Sequence, residues 1–163
     1  MTVDQRQTLP KGQRPRVLQM QSVDKTFRGG VQALSGMSLS VQEGDFISLL
    51  GPSGCGKTTA LRLISGLMPP TAGRILWEGG MAPGDLGVVF QEPTLMPWAT
   101  VAQNVWLPFR LRGQGFAAVR DRVEEALGLV GLDGFSSAYP RELSGGMKMR
   151  VSIARALVTN PRL

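Results

Sequence analysis

Gly51-Pro52-Ser53-Gly54-Cys55-Gly56-Lys57-Thr58-Thr59 decides how the rest of this chain is read. It matches G-x-x-x-x-G-K-[ST] in full, and each position has a physical task. Successive backbone N–H groups in such a loop make an anion-binding concavity, and its glycines allow the positive φ values and the close approach that a phosphate cradle needs. A helix beginning near Gly56 points its positive dipole end at the bound phosphates. Lys57 can then reach the β- and γ-phosphates as a point charge, and the Thr58 hydroxyl can ligate Mg²⁺.

The flanks have the pattern this loop requires. Phe46-Ile47-Ser48-Leu49-Leu50 before it is a nearly continuous apolar run, expected to be a strand buried on both faces. After it Leu61, Ile64 and Leu67 or Met68 recur at helical spacing until Pro69-Pro70 stops the helix. Upstream, Arg16 to Met20 and Val23 to Arg28 are strand candidates. A Gly29-Gly30 turn and the alternation of Met37, Leu39 and Val41 follow, and together these predict an antiparallel β-layer. Arg74 to Glu78 and Leu86 to Phe90 are further strands, the second buried. From Gln91 the texture changes. Pro93, Pro97 and Pro108 punctuate a loop and a short helical piece. Val119, Val123, Ala126, Leu127 and Val130 then mark an amphipathic helix with Arg120 and Glu124 paired at i, i+4. The expected fold is α/β, with a helical insertion on the core. Residues 1–15 are polar and read as a flexible leader.

Composition excludes several chemistries. The 163 residues contain no histidine, which removes the commonest general base, the commonest zinc ligand and every Ser-His or Cys-His pairing. One cysteine cannot form an internal disulfide, so a reduced cytosolic setting fits. No stretch approaches the roughly 18 apolar residues of a membrane span. The net charge is +6, but the 18 Lys and Arg are scattered in ones and twos without aromatic interleaving. That pattern is a solvated basic surface and does not predict nucleic-acid binding.

A second motif narrows the class. Leu143-Ser144-Gly145-Gly146-Met147 opens a basic helix in which Met147, Val151, Ala154 and Val158 fall on one face, and Asn160-Pro161 ends it. Ser144 suits a helix N-cap, and the N–H groups of Gly145 and Gly146 make a second anion site. With the phosphate loop at Gly51, this segment resembles the signature motif of ABC-type ATPases, with Met147 where Gln is commoner. Val88-Val89-Phe90-Gln91-Glu92-Pro93 resembles the family's Q-loop.

That resemblance covers the chain from about Val17 onward and implies a P-loop ABC-ATPase fold: an antiparallel β-layer, a RecA-like core and an α-helical insertion. It partitions residues 16–163 into a β-layer and P-loop core (16–91), a helical subdomain (92–143) and the signature helix (144–163). It implies ATP and Mg²⁺ as cofactors, with Gln91 contacting Mg²⁺ and the attacking water, and Phe27 stacking on adenine; a place in the β-layer core is the other reading of Phe27. The signature acts in trans in the family, so a head-to-tail homodimer is expected, together with membrane permease subunits and, indirectly, a periplasmic or surface substrate-binding protein. The expected place is peripheral, on the cytoplasmic face of a bacterial inner membrane. Gln91 to Trp98 and Asn104 to Pro108 look most like the ATPases of nitrate, sulfonate and taurine importers.

The resemblance stops at Asn160-Pro161-Arg162-Leu163, where family members enter the strand carrying the Walker B aspartate, followed by the catalytic glutamate and a switch histidine. Nothing after Glu142 is acidic. These residues are therefore expected to bind MgATP without turning it over. Leu127 to Asp133 could pass for that strand, but two glycines interrupt it and it precedes the signature. An ATPase module of a nucleic-acid or translation protein is the alternative, and would call for coiled-coil insertions or a second cassette. A small P-loop kinase would leave the signature unexplained. Cys55 reads as a small residue filling a variable loop position. Alkylating it with a bulky thiol reagent should block nucleotide binding, measured by displacement of a fluorescent ATP analogue; retained binding by the modified chain would mean the cradle lies elsewhere.

Overall fold

A computed structural model of the chain describes residues 14–80 and 84–163, which divide into two compact units, 1–81 and 82–163. The leader reading falls largely on 1–13, outside the described residues. Arg14 and Pro15 are bonded to the turn after the second strand. Arg14 pairs with Asp45 at 2.7 Å and donates to the Glu43 carbonyl at 3.0 Å, while the Pro15 carbonyl accepts from the Glu43 N–H at 2.8 Å.

The first unit is built on an antiparallel sheet in the order β2-β1-β3, with β1 at Arg16–Thr26, β2 at Gln32–Gln42 and β3 at Ala72–Trp77. The two strands expected before Gly29 are one strand with a bulge. Ser22 takes φ 44°, the register slips between Met20 and Val23, and this reset lets Leu18, Met20 and Val23 all face the core although 20 and 23 have opposite parity. Gly73, at φ +81°, lies against the bulge so closely that a Cβ would meet the Ser22 carbonyl oxygen at 2.3 Å. Helix α1, Lys57–Ile64, packs Leu63 and Ile64 against the sheet with Leu18, Met20, Val23 and Val41. Of the expected apolar stripe, Ile64 is buried and Met68 packs against the same core, whereas Leu61 and Leu67 are exposed; Ala60 and Leu63 complete the buried face, and α1 ends at Ile64, before Pro69-Pro70.

The second unit packs three helices around its own core. Helix α2 spans Val101–Arg110, α3 spans Phe116–Leu129 and α4 spans Gly145–Leu157. Val105, Phe109, Val123, Leu127, Val151 and Ala154 meet there, each essentially excluded from water. Thr100 and Gln103 form a reciprocal capping box at the start of α2. Pro108 does not break α2 as its sequence position suggested; the helix runs two residues further, where burial of Phe109 offsets the lost backbone bond. Arg120 is paired with Asp121, and Glu124 accepts from the Ser136 hydroxyl, so the predicted Arg120–Glu124 pair is not formed. Leu127 to Asp133 is the end of α3 and a turn, as its glycines imply.

Two expected strands are corrected. Residues 46–50 and 86–90 carry no strand assignment, and Phe46 is 96% and Leu50 88% exposed. A strand exists only as half of a pair. For 86–90 the beginning of a pair is visible: the Leu163 N–H donates to the Asp85 carbonyl at 3.0 Å and the Gly87 N–H to the Leu163 carbonyl at 2.8 Å, the slanted bonding of a parallel rung. Val88, Val89 and Phe90 lie past that rung and are exposed.

The buried polar residue Asn104 is fully used. Its Oδ1 accepts from the Met96 N–H at 2.8 Å, and its Nδ2 lies within 3.0 to 3.2 Å of the carbonyls of Met96, Ala99 and Thr100. Asn104→Ala should therefore destabilise the 82–163 unit by about 2–4 kcal/mol, because it strands buried backbone groups as well as removing bonds. Urea unfolding followed by tryptophan fluorescence will read it as a fall in midpoint.

Candidate nucleotide-binding site

The phosphate loop has the backbone its sequence demands. Gly51, Gly54 and Gly56 take φ of +150°, +84° and +94°. At Gly56 space matters as much as φ: a Cβ there would lie 2.4 Å from the Ala33 carbonyl oxygen and 2.9 Å from Leu34 Cδ2, so the loop is seated directly on the start of β2. At Gly51 a Cβ would meet Cys55 Sγ at 2.7 Å. Pro52, Ser53, Gly54 and Cys55 are exposed along the rim.

Lys57 is folded into the loop. Its Nζ donates to the carbonyls of Gly51 and Pro52, each at 2.7 Å, and lies 3.5 Å from Cys55 Sγ. The two carbonyls fix the ammonium inside the turn. A thiol is a weak acceptor, which an anionic oxygen displaces readily. Helix α1 starts at Lys57 with Gly56 as N-cap and no side chain bonded across its first turn, so its N–H groups face outward with the helix dipole behind them. Thr58 is exposed on that first turn, Thr59 is half-buried, and Ala60 enters the core. A cavity of about 210 Å³ lies beside the loop, lined by Leu34, Met37, Leu49, Cys55, Lys57 and Ala60 among others. These features fit a polyphosphate. Among the described residues no group of three or more histidine, cysteine or acidic side chains could hold a metal ion.

Phe27 follows β1 at the hairpin turn, where its N–H donates to the Val31 carbonyl. It is 40% exposed with Lys25 Nζ 5.8 Å from the ring centroid, so it is not the β-layer core residue that was the other possibility.

The second unit carries the other motif. Ser144 caps α4, its Oγ accepting from the Met147 N–H at 3.3 Å. Using a lone pair this way leaves the hydroxyl proton free to donate. Leu143 is buried and anchors the motif, while Ser144, Gly145 and Gly146 are exposed, with nothing within 4 Å of where either glycine's Cβ would stand. Met147 is half-buried against the helical core. Gln91 is exposed in an irregular stretch before α2. Sequence reasoning missed the residues that hold this stretch. Besides Asn104, they are Arg155 and Thr94, joined across 61 positions by two hydrogen bonds. An asparagine at a core position of an amphipathic helix was a usable signal for the first; no local pattern points to the others.

A glycine-rich loop of this kind, followed by a Ser-capped helix that opens on Ser144-Gly145-Gly146, is the pattern of a phosphate-loop nucleotide-binding domain with an ABC-type signature. Residues 34–163 match the family model described as ABC transporter, and the chain belongs to that family, as its ATP-binding domain. It is 45% identical over 155 residues to an uncharacterized ABC transporter ATP-binding protein of Methanocaldococcus jannaschii, covering 90% of this chain and 57% of that one. It is 44% identical over 152 residues to a nitrate import ATP-binding protein of Synechocystis, again with 90% and 57% covered. Among solved structures it is similar to the dimeric ATP-binding cassette MJ0796 bound to ADP and Pi, with a TM-score of 0.75 and 34% identity over 88% of this chain and 70% of that one. The chain thus spans little more than half the length of these sequence relatives.

Gly56→Ala and Gly54→Ala separate space from φ. Both force a side chain to positive φ, but only the first also drives a Cβ into the β2 backbone. Gly56→Ala should cost about 2 kcal/mol more stability than Gly54→Ala, read as the difference in urea midpoint between the two variants.

Proposed function

We propose that this chain is the nucleotide-binding part of the ATPase subunit of an ABC importer, coupling ATP binding and hydrolysis in the assembled transporter to uptake of a small anion such as nitrate, a sulfonate or taurine. The observation that carries this reading is the loop of Gly51 to Thr59, with its ammonium already held on two carbonyls beneath an uncapped helix start. The similarity to a nitrate import ATP-binding protein supports the importer role, and the residues from Gln91 to Trp98 are what favours this class of cargo.

In this reading Lys57 and the N–H groups of the loop hold the β- and γ-phosphates, the Thr58 hydroxyl and the Gln91 side-chain oxygen hold Mg²⁺, and Phe27 stacks on the base. Bound MgATP supplies the phosphoryl group whose transfer to water drives transport. Ser144, Gly145 and Gly146 lie open for the γ-phosphate held by a second copy, giving a head-to-tail dimer in which each nucleotide is shared; the dimeric cassette MJ0796 supports this. Among the described residues no helix is long and apolar enough to cross a membrane. In this reading permease subunits hold the domain at the bilayer, which the similarity to a chain that is part of an ABC transporter complex supports.

A polypeptide of these 163 residues, with no histidine and nothing acidic after Glu142, should bind MgATP and hydrolyse none of it. Lys57→Ala should weaken binding by roughly tenfold or more, since a charge-assisted contact to phosphate is lost. Displacement of a fluorescent nucleotide measures the first and steady-state phosphate release the second. Turnover that disappears in Lys57→Ala would refute the binding-only expectation, and unchanged affinity would refute the site.

A further inference from the structure

The stretch carrying Gln91 has neither helix nor ladder of its own before α2, yet it is held at two places. Asn104 on α2 binds Met96 and Ala99 through their backbone groups. Arg155, in the last turn of α4, donates from Nη1 to the Thr94 carbonyl at 2.7 Å and from Nη2 to the Thr94 hydroxyl at 2.9 Å. Both bonds go to one residue from two different nitrogens of the planar guanidinium fork, a spacing that the single nitrogen of a lysine does not present. Burial lowers the pKa of Arg155 below the usual arginine value, as expected of a cation whose water has been replaced by protein acceptors.

Thr94 is three residues from Gln91, with Pro93 restricting the backbone between them. At its other end Arg155 stands on the same continuous 13-residue helix that Ser144 caps, a rod about 20 Å long. We propose that Arg155 is a positioning residue that locks the Gln91 stretch to the signature helix, so that the glutamine and the Ser144 anion site move as one body. The inference rests on the importer-ATPase reading. It assigns Arg155 an effect on the reaction through Gln91, without contact to the nucleotide.

The test has two arms. In hydrogen exchange of this chain, Arg155→Lys should speed exchange of the 91–98 amides by about tenfold, the loss expected for charge-assisted bonds, while α2 and α3 keep their protection. In the ATPase subunit assembled with its permease, the same variant should lower kcat about tenfold and leave KM for ATP unchanged, since phosphate binding is untouched. Thr94→Val, which keeps the carbonyl bond, should lose less, and Thr94→Ser should behave as the unsubstituted protein. Wild-type kcat in Arg155→Lys overturns the inference, as does a kcat loss accompanied by lost protection in α2 and α3, which would mark a structural contact only. An unsubstituted assembly that hydrolyses no ATP overturns the importer-ATPase reading itself and this inference with it.

Discussion

The site depends on a steric constraint at Gly56. Its Cα approaches the Ala33 carbonyl so closely that no side chain fits, and its φ of +94° is one L residues rarely adopt. That contact seats the phosphate loop on β2, sets where α1 begins, and leaves Lys57 one turn from the carbonyls of Gly51 and Pro52. Positive charge, helix dipole and free N–H groups therefore converge because the backbone has been forced into a shape that only glycine permits.

The other half of the chemistry rests on satisfied polar groups within a helical core. Asn104 is the clearest case. Burying an amide among Val101, Val105 and Phe109 is unfavourable unless every donor and acceptor is used, and here they are spent on the irregular stretch that leads from Gln91 into α2. A loop without secondary structure is thereby given a defined path. At the signature the economy is reversed: Leu143 is buried to fix the motif, and the residues after it are left open.

Motifs with strict local geometry were legible without coordinates. The phosphate loop, the Ser144 cap, the amphipathic face of α3 and the stop at Asn160-Pro161 each follow from residues within a few positions of one another. The errors share a physical cause. Phe46 to Leu50 and Leu86 to Phe90 have strand composition, but a strand needs a neighbour, and no pattern within five residues reports whether one is present. Leu61 shares its helical spacing with the buried Ile64, yet it is exposed while Ala60 and Leu63 are buried, because where the sheet lies decides the buried side of α1. The bulge at Ser22 merged two predicted strands into one because the sheet could use both Met20 and Val23 only by slipping its register.

What the sequence by itself determined is the pattern on offer: a glycine-rich loop with a lysine and a threonine at its helix start, a second helix opening on Ser144-Gly145-Gly146, and no histidine. These depend on residue type and short-range backbone conformation, which local sequence encodes. What only the tertiary structure decided is how those parts are held: Gly56 against Ala33, Asn104 spent on the approach to α2, and Arg155 reaching across 61 positions to Thr94. Such contacts join residues far apart in the chain, and they become fixed only when the core has brought them together.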